Sequence, residues 1–100
     1  MTRRVRVLPE AEAELASAAL WYERSRAGLG IELMAAADEA VESLREFPES
    51  APPWKPGHPA RKHRLRRFPY FVIYRLIGPD LEIVAFAHDK RRPGYWLKRQ

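Results

Sequence analysis

Two cationic runs carry the residues most able to do chemistry. One is Arg61-Lys62-His63-Arg64-Leu65-Arg66-Arg67. The other is His88-Asp89-Lys90-Arg91-Arg92-Pro93-Gly94-Tyr95-Trp96-Leu97-Lys98-Arg99, a histidine, five cations and two aromatics within twelve residues. Cations bind phosphate and aromatic rings stack on bases, so this mixture suits nucleic acid or another polyanion. The competing reading is that Tyr95 and Trp96 pin the C-terminus onto the fold. Spacing divides the tail. Arg91 and Arg92 precede Pro93 and fall near solvent at a strand end. If Pro93 opens a short helix, Tyr95 and Arg99 lie four apart and share a face. Trp96 then turns inward, where an indole buries a large area. Arg91, Arg92, Tyr95 and Arg99 are therefore assigned to target contact, with Arg64 and Arg66 from the first run. Trp96 is assigned to packing.

Other chemistries are less favoured. The chain has no cysteine, which removes disulfides and Cys-ligated zinc and suits a reducing cytoplasm. The carboxylates Glu32, Asp38, Glu39, Glu42 and Glu46 pair with no histidine at a spacing that demands metal or acid–base work. They read as a solvated helix face. No metal and no cofactor is expected. The basic N-terminus is followed by no signal-peptide apolar core, and no apolar run approaches the ~20 residues of a membrane span.

The net charge of +5 conceals a separation of signs. Residues 1–50 carry ten acidic and six basic side chains, a net of −4. Residues 51–100 carry three acidic and twelve basic, a net of +9. A basic half of this kind is the footprint of an acidic or polyanionic partner.

The elements that position these residues follow from periodicity. One hundred residues support one domain, residues 1–100. Val5 and Val7 alternate with Arg4 and Arg6 and form a short strand. Pro9 ends it and starts a helix to about Ser25, with Glu10, Glu12 and Glu14 near its positive N-terminus. Leu15, Ala18, Ala19 and Tyr22 form its buried stripe. Gly28 marks a turn, and a second helix runs from about Leu29 to Phe47 on Leu33, Ala37, Ala40, Val41 and Leu44. The two make an antiparallel hairpin. Residues 48–59 hold five prolines and can be neither helix nor central strand. Trp54 reads as a packing anchor there.

Phe68-Pro69-Tyr70-Phe71-Val72-Ile73-Tyr74-Arg75 is the most apolar run and reads as a central strand paired from Tyr70 onward. It is flanked by the 61–67 run and by 81–88, so the three form an antiparallel meander. Alternation puts Lys62, Arg64 and Arg66 on one face, and Leu81, Ile83, Ala85 and Ala87 together on one face of the last strand. The fold class is α+β: an N-terminal strand, a helical hairpin, then the meander.

That order, with Phe68-Pro69-Tyr70, Ile73-Tyr74-Arg75, and His88…Arg91-Arg92-Pro93…Tyr95-Trp96…Arg99, resembles the RelE/ParE superfamily of type II toxin–antitoxin toxins. The ending is most similar to the ParE-like, plasmid-stabilisation branch. The resemblance covers nearly the whole chain. It implies a cytoplasmic growth inhibitor that acts on DNA gyrase and is neutralised by a cognate antitoxin. An alternative on the same fold is a RelE-like endonuclease that cuts mRNA on the ribosome without a metal. That chemistry needs a base, phosphate clamps and an acid. Here the candidates are Lys62 or His63, then Arg64 and Arg75, then His88 or Tyr95. A third reading is a nucleic-acid-binding module without toxicity.

Overall fold

The computed structural model describes residues 3–99. Its elements are β1 (Val5–Val7), α1 (Pro9–Ser25), α2 (Leu29–Glu46), β2 (Arg61–Arg64), β3 (Tyr70–Ile77) and β4 (Asp80–His88). One sheet has the order β1-β4-β3-β2. β2, β3 and β4 pair as an antiparallel meander, whereas β1 lies parallel to β4. A parallel neighbour requires a long crossover, and the helical hairpin lies within it.

The hairpin is held close by small residues and one carboxylate. Gly28 turns the chain at φ +90°, a region that favours glycine. α2 has no capping side chain at its first position. Glu23 of α1 supplies one instead, accepting from the Gly28 N–H at 2.8 Å and the Gly30 N–H at 3.0 Å. Gly30 is required for a different reason. A Cβ there would stand 2.4 Å from the Ala19 carbonyl oxygen, so only glycine lets the two helices approach this far.

The sheet buries both faces. Leu33, Ala37 and Leu44 of α2 and Ala11 and Ala18 of α1 pack on Val72, Tyr74, Leu81, Ile83 and Phe86. On the opposite face, Ile73, Val84, Ala85 and Ala87 are covered by Trp54 of the proline-rich loop and by Tyr95 and Trp96 of the tail. Trp96 is 5% exposed, and its ring meets Trp54 edge-on at 4.9 Å. Both indoles are packing anchors.

Two strands depart from simple alternation. Opposite β3, Ile73 pairs with Ala85 and Tyr74 with Ile83, so Val84 is an extra residue in β4. This bulge reverses the facing of everything after it. Leu81 and Ile83 face the hairpin, but Ala85 and Ala87 face the tail and Phe86 returns to the hairpin. The expected common face for Leu81, Ile83, Ala85 and Ala87 is thus corrected. The 61–67 run also ends early. β2 stops at Arg64, and Arg67 takes φ +70° as the chain turns toward β3. Leu65 and Phe68 are drawn into the core by that turn. Arg66 therefore leaves the face shared by Lys62 and Arg64. It lies 3.3 Å from Glu39 of α2, while Arg67 lies 2.7 Å from Glu32.

Candidate target-binding surface

A cationic platform stands on the tail-covered face of the sheet, at the end where β4 finishes. Arg64 is directly opposite Phe71 in the β2–β3 register, and Lys62 is opposite Ile73. The Lys62 ammonium lies 4.2 Å from the centre of the Phe71 ring, and the Arg64 guanidinium 5.3 Å from it. Aromatic faces attract cations, so Phe71, itself partly buried, gathers two of them onto one spot. Arg92 and Arg91 arrive from the end of β4 and line the same shallow depression, of about 70 Å³, with Lys62, Phe71 and Asp89. Asp89 meets Arg64 at 3.7 Å. One carboxylate among these cations leaves the platform positive.

The rest of the tail is engaged inward. Residues 93–98 form successive turns, with Leu97 N–H donating to the Gly94 carbonyl at 3.0 Å and Arg99 N–H to the Trp96 carbonyl at 3.0 Å. Tyr95 and Arg99 do share a side, and the Arg99 guanidinium lies 5.0 Å from the Tyr95 ring centre. That side faces Glu14 of α1. Arg99 binds the Glu14 carboxylate through both terminal nitrogens, at 2.8 and 2.9 Å, and the Tyr95 hydroxyl donates to it at 2.5 Å. The Arg99 and Glu14 side chains are each only 16% exposed. Arg99, assigned to target contact from the sequence, is turned inward onto Glu14 by this pair.

Strand pairing explains why the pair exists. β1 pairs with β4 only as far as Ile83, and Leu8 N–H then donates to the Ile83 carbonyl at 3.0 Å before Pro9 starts α1. Beyond that point β4 keeps β3 on one side but has no strand on its β1 side among the described residues. Arg99 donates to the Val84 carbonyl at 3.1 Å and Glu14 accepts the Phe86 N–H at 3.1 Å. The ion pair thus satisfies two backbone groups that a neighbouring strand would otherwise satisfy. Sequence reasoning missed Glu14 by counting it with the charged first turn. The available signal was its position, three residues after buried Ala11 and four before buried Ala18, on the inward face of α1.

The acid–base candidates are dispersed. His63 pairs with Val72, so it faces the hairpin rather than the platform, and burial lowers its pKa. Arg75 is held by Glu82, its Nε donating to a carboxylate oxygen at 2.6 Å, and Glu82 is 3% exposed. The Tyr95 phenol is pushed well above its usual range, first by burial and then by its bond to Glu14. Its proton points at Glu14. His88 sits at the end of β4 with its ring edge-on to Tyr70 at 5.0 Å. Its Nδ1 accepts the Lys90 N–H at 3.0 Å, which places the ring proton on Nε2. Only Lys62, Arg64 and His88 remain near the platform with Arg91 and Arg92. Among the described residues no group of three His, Cys, Asp or Glu could hold a metal ion. None of the described helices is long and apolar enough to cross a membrane.

Comparison with known proteins agrees with this architecture. A structure described as the chromosomal ParDE toxin–antitoxin system of P. aeruginosa matches with a TM-score of 0.75 at 17% identity, over 87% of this chain and 96% of that one. At that identity the likeness speaks for the fold. No curated protein matches. The family model of the ParE toxin of the type II toxin–antitoxin system parDE matches residues 5–93, which spans every strand, both helices and the platform. The chain therefore belongs to the ParE toxin family of type II toxin–antitoxin systems.

Proposed function

We propose that residues 1–100 act as one toxin domain that inhibits DNA gyrase by binding it, in the cytoplasm, and that a cognate antitoxin neutralises it. The observation that carries this reading is the fate of Tyr95. A general acid must release its proton to the leaving group near neutral pH. Tyr95 instead gives its hydrogen bond to a partly buried carboxylate that raises its pKa further. With His63 on the opposite face and Arg75 neutralised by Glu82, the RNA-cleavage candidates left at the platform are Lys62, Arg64 and His88, without the second clamp and without a phenol free to act as acid. What the platform offers is charge: Lys62, Arg64, Arg91 and Arg92, suited to an acidic protein surface or a polyanion. Arg66, paired with Glu39 of α2, and Arg99, paired with Glu14, lie outside that surface.

The antitoxin is expected at the other edge of the sheet. β1 is an edge strand. Beside it a groove of about 490 Å³ is lined by Val5, Val7, Leu15, Val41 and Phe86. A partner segment that folds on binding can add a strand to such an edge or lay an apolar helix face in such a groove. Expression of the chain alone should arrest growth with DNA-damage signalling, and the antitoxin should relieve it. A purified translation system should be unaffected. Cleavage of mRNA within codons in that system would move the protein to the ribosome-dependent endonucleases.

A further inference from the structure

A second cleft lies around the end of β4 from the platform, on the hairpin side. It has a volume of about 410 Å³, within the range of small-ligand sites. α1 forms one wall. Its small residues Ala13, Ser17 and Ala18 leave the space open, and Trp21 closes the far end. The Trp21 side chain is the exception among the three tryptophans. Trp96 is buried and Trp54 packs against it, but Trp21 is 63% exposed, held only edge-on by Tyr22 at 5.0 Å. An indole left this open on a helix that buries its other face contributes little to the core.

The polar groups around the cleft favour an anion. Glu14 lines it, but its carboxylate is committed to Arg99, Tyr95 and the Phe86 N–H. Arg91 is exposed and has no carboxylate partner among the described residues, its guanidinium resting 3.9 Å from the Tyr95 ring centre. The Ser17 hydroxyl, the Tyr70 phenol and the Nε2–H of His88 complete a set of donors, with the Asp89 carboxylate on the other side of the His88 ring, 3.3 Å from Nδ1. His88 and Arg91 also line the platform depression, so the two clefts meet at these residues. A ligand anchored at Trp21 can therefore continue onto Arg92 and Lys62.

We propose that this cleft holds one unpaired nucleotide of a single-stranded nucleic acid, its base against Trp21 and its phosphate at Arg91 and His88, with neighbouring phosphates on Arg92 and Lys62. An aromatic ring at one end of a cleft, a cation at the other and a cationic track leading away match a strand with one base turned inward. A duplex keeps its bases stacked and offers Trp21 nothing. The proposal does not rest on gyrase being the target, although Arg91, Arg92 and Lys62 are shared with the platform.

The test is fluorescence anisotropy of the full chain with a labelled single strand of about eight nucleotides, comparable to the footprint of other single-strand binders. The same sequence as a duplex and a free nucleoside monophosphate serve as competitors. The single strand should bind more tightly than the duplex, and the mononucleotide should compete only at far higher concentration. Trp21→Ala should weaken binding by about fivefold or more, the lower end of what one stacked base contributes, and Trp21→Phe should recover most of the loss. Arg91→Ala should weaken it similarly. Trp21 and Arg91 are exposed, so melting temperatures should stay close to that of the parent and confirm that the variants fold. Equal affinity for duplex and single strand, or unchanged binding by Trp21→Ala, would reduce the surface to a general polycation and overturn the proposal. A mononucleotide that binds as tightly as the strand would overturn it in favour of a free-nucleotide site. No binding of the single strand would also overturn it.

Discussion

Glu14 is the residue on which the tail depends. One carboxylate joins α1, β4 and the last turns of the chain through Arg99, Tyr95 and the Phe86 N–H. Removing its charge leaves a mostly buried guanidinium without a counter-ion and reduces the match to three donors. Glu14→Gln should cost about 2–3 kcal/mol, between an exposed pair and a fully buried one. That corresponds to a melting temperature lower by about 10 °C for a domain of this size. Arg99→Ala should be comparable, so a tail variant including it will not be silent in stability, unlike Arg91→Ala or Arg92→Ala. Calorimetry of the single variants separates the two classes. His63 gives a pH dependence whose sign is fixed by its burial. Its folded pKa lies below the ordinary 6.5, so the unfolded chain takes up a proton first as pH falls. The contribution from neutral His63 is present above about 6.5 and is lost on acidification through the window down to the folded pKa. His63→Asn should flatten the fall of the melting temperature as pH drops below about 6.5. An unchanged slope would show that His63 titrates as freely in the fold as out of it.

At the scale of elements, both helices, β1 and the central strand were legible because apolar residues recur at unambiguous spacing. Pro9, Gly28 and the prolines of 48–59 mark their limits. The bulge was not legible. Val84-Ala85-Phe86-Ala87 is apolar at every position, so alternation carries no phase information, and the extra residue shows only when β3 lies beside it. The early end of β2 was hidden likewise. Arg66 and Arg67 continue the charge pattern of Arg64, but their turn answers to Leu65 and Phe68 entering the core. Of the candidate surface, Arg91 and Arg92 follow from their place at a strand end, and Arg64 from the alternation of its run. Arg99 and Tyr95 were given the right mutual side but the wrong direction, because their partner lies more than eighty residues away. Gly30 offers a test of the hairpin. Gly30→Ala adds one carbon 2.4 Å from the Ala19 carbonyl and must push the helices apart. A loss of about 1–3 kcal/mol is expected despite the better helix propensity of alanine. A gain in stability would mean that the helices have slack at their crossing.

Across the whole molecule, the separation of charge becomes a division of surfaces. The acidic residues fall largely on the helical hairpin, and Glu32 and Glu39 reach Arg67 and Arg66 across it. Lys62, Arg91 and Arg92, with no carboxylate partner among the described residues, gather with Arg64 around Phe71 and the end of β4. The groove beside β1 proposed for the antitoxin and the platform are distinct places on one fold. If the antitoxin carries an acidic tail, its association rate should fall as salt rises, because long-range attraction mainly sets the encounter rate. A salt-independent rate would leave the apolar groove as the whole of recognition. The most direct measurement is DNA supercoiling by purified gyrase titrated with this toxin. Inhibition should appear with the parent chain and be strongly reduced when Lys62, Arg64 and Arg92 are replaced together by alanine, with folding and antitoxin binding retained. Undiminished supercoiling in the presence of excess, folded toxin would contradict the gyrase-inhibition account.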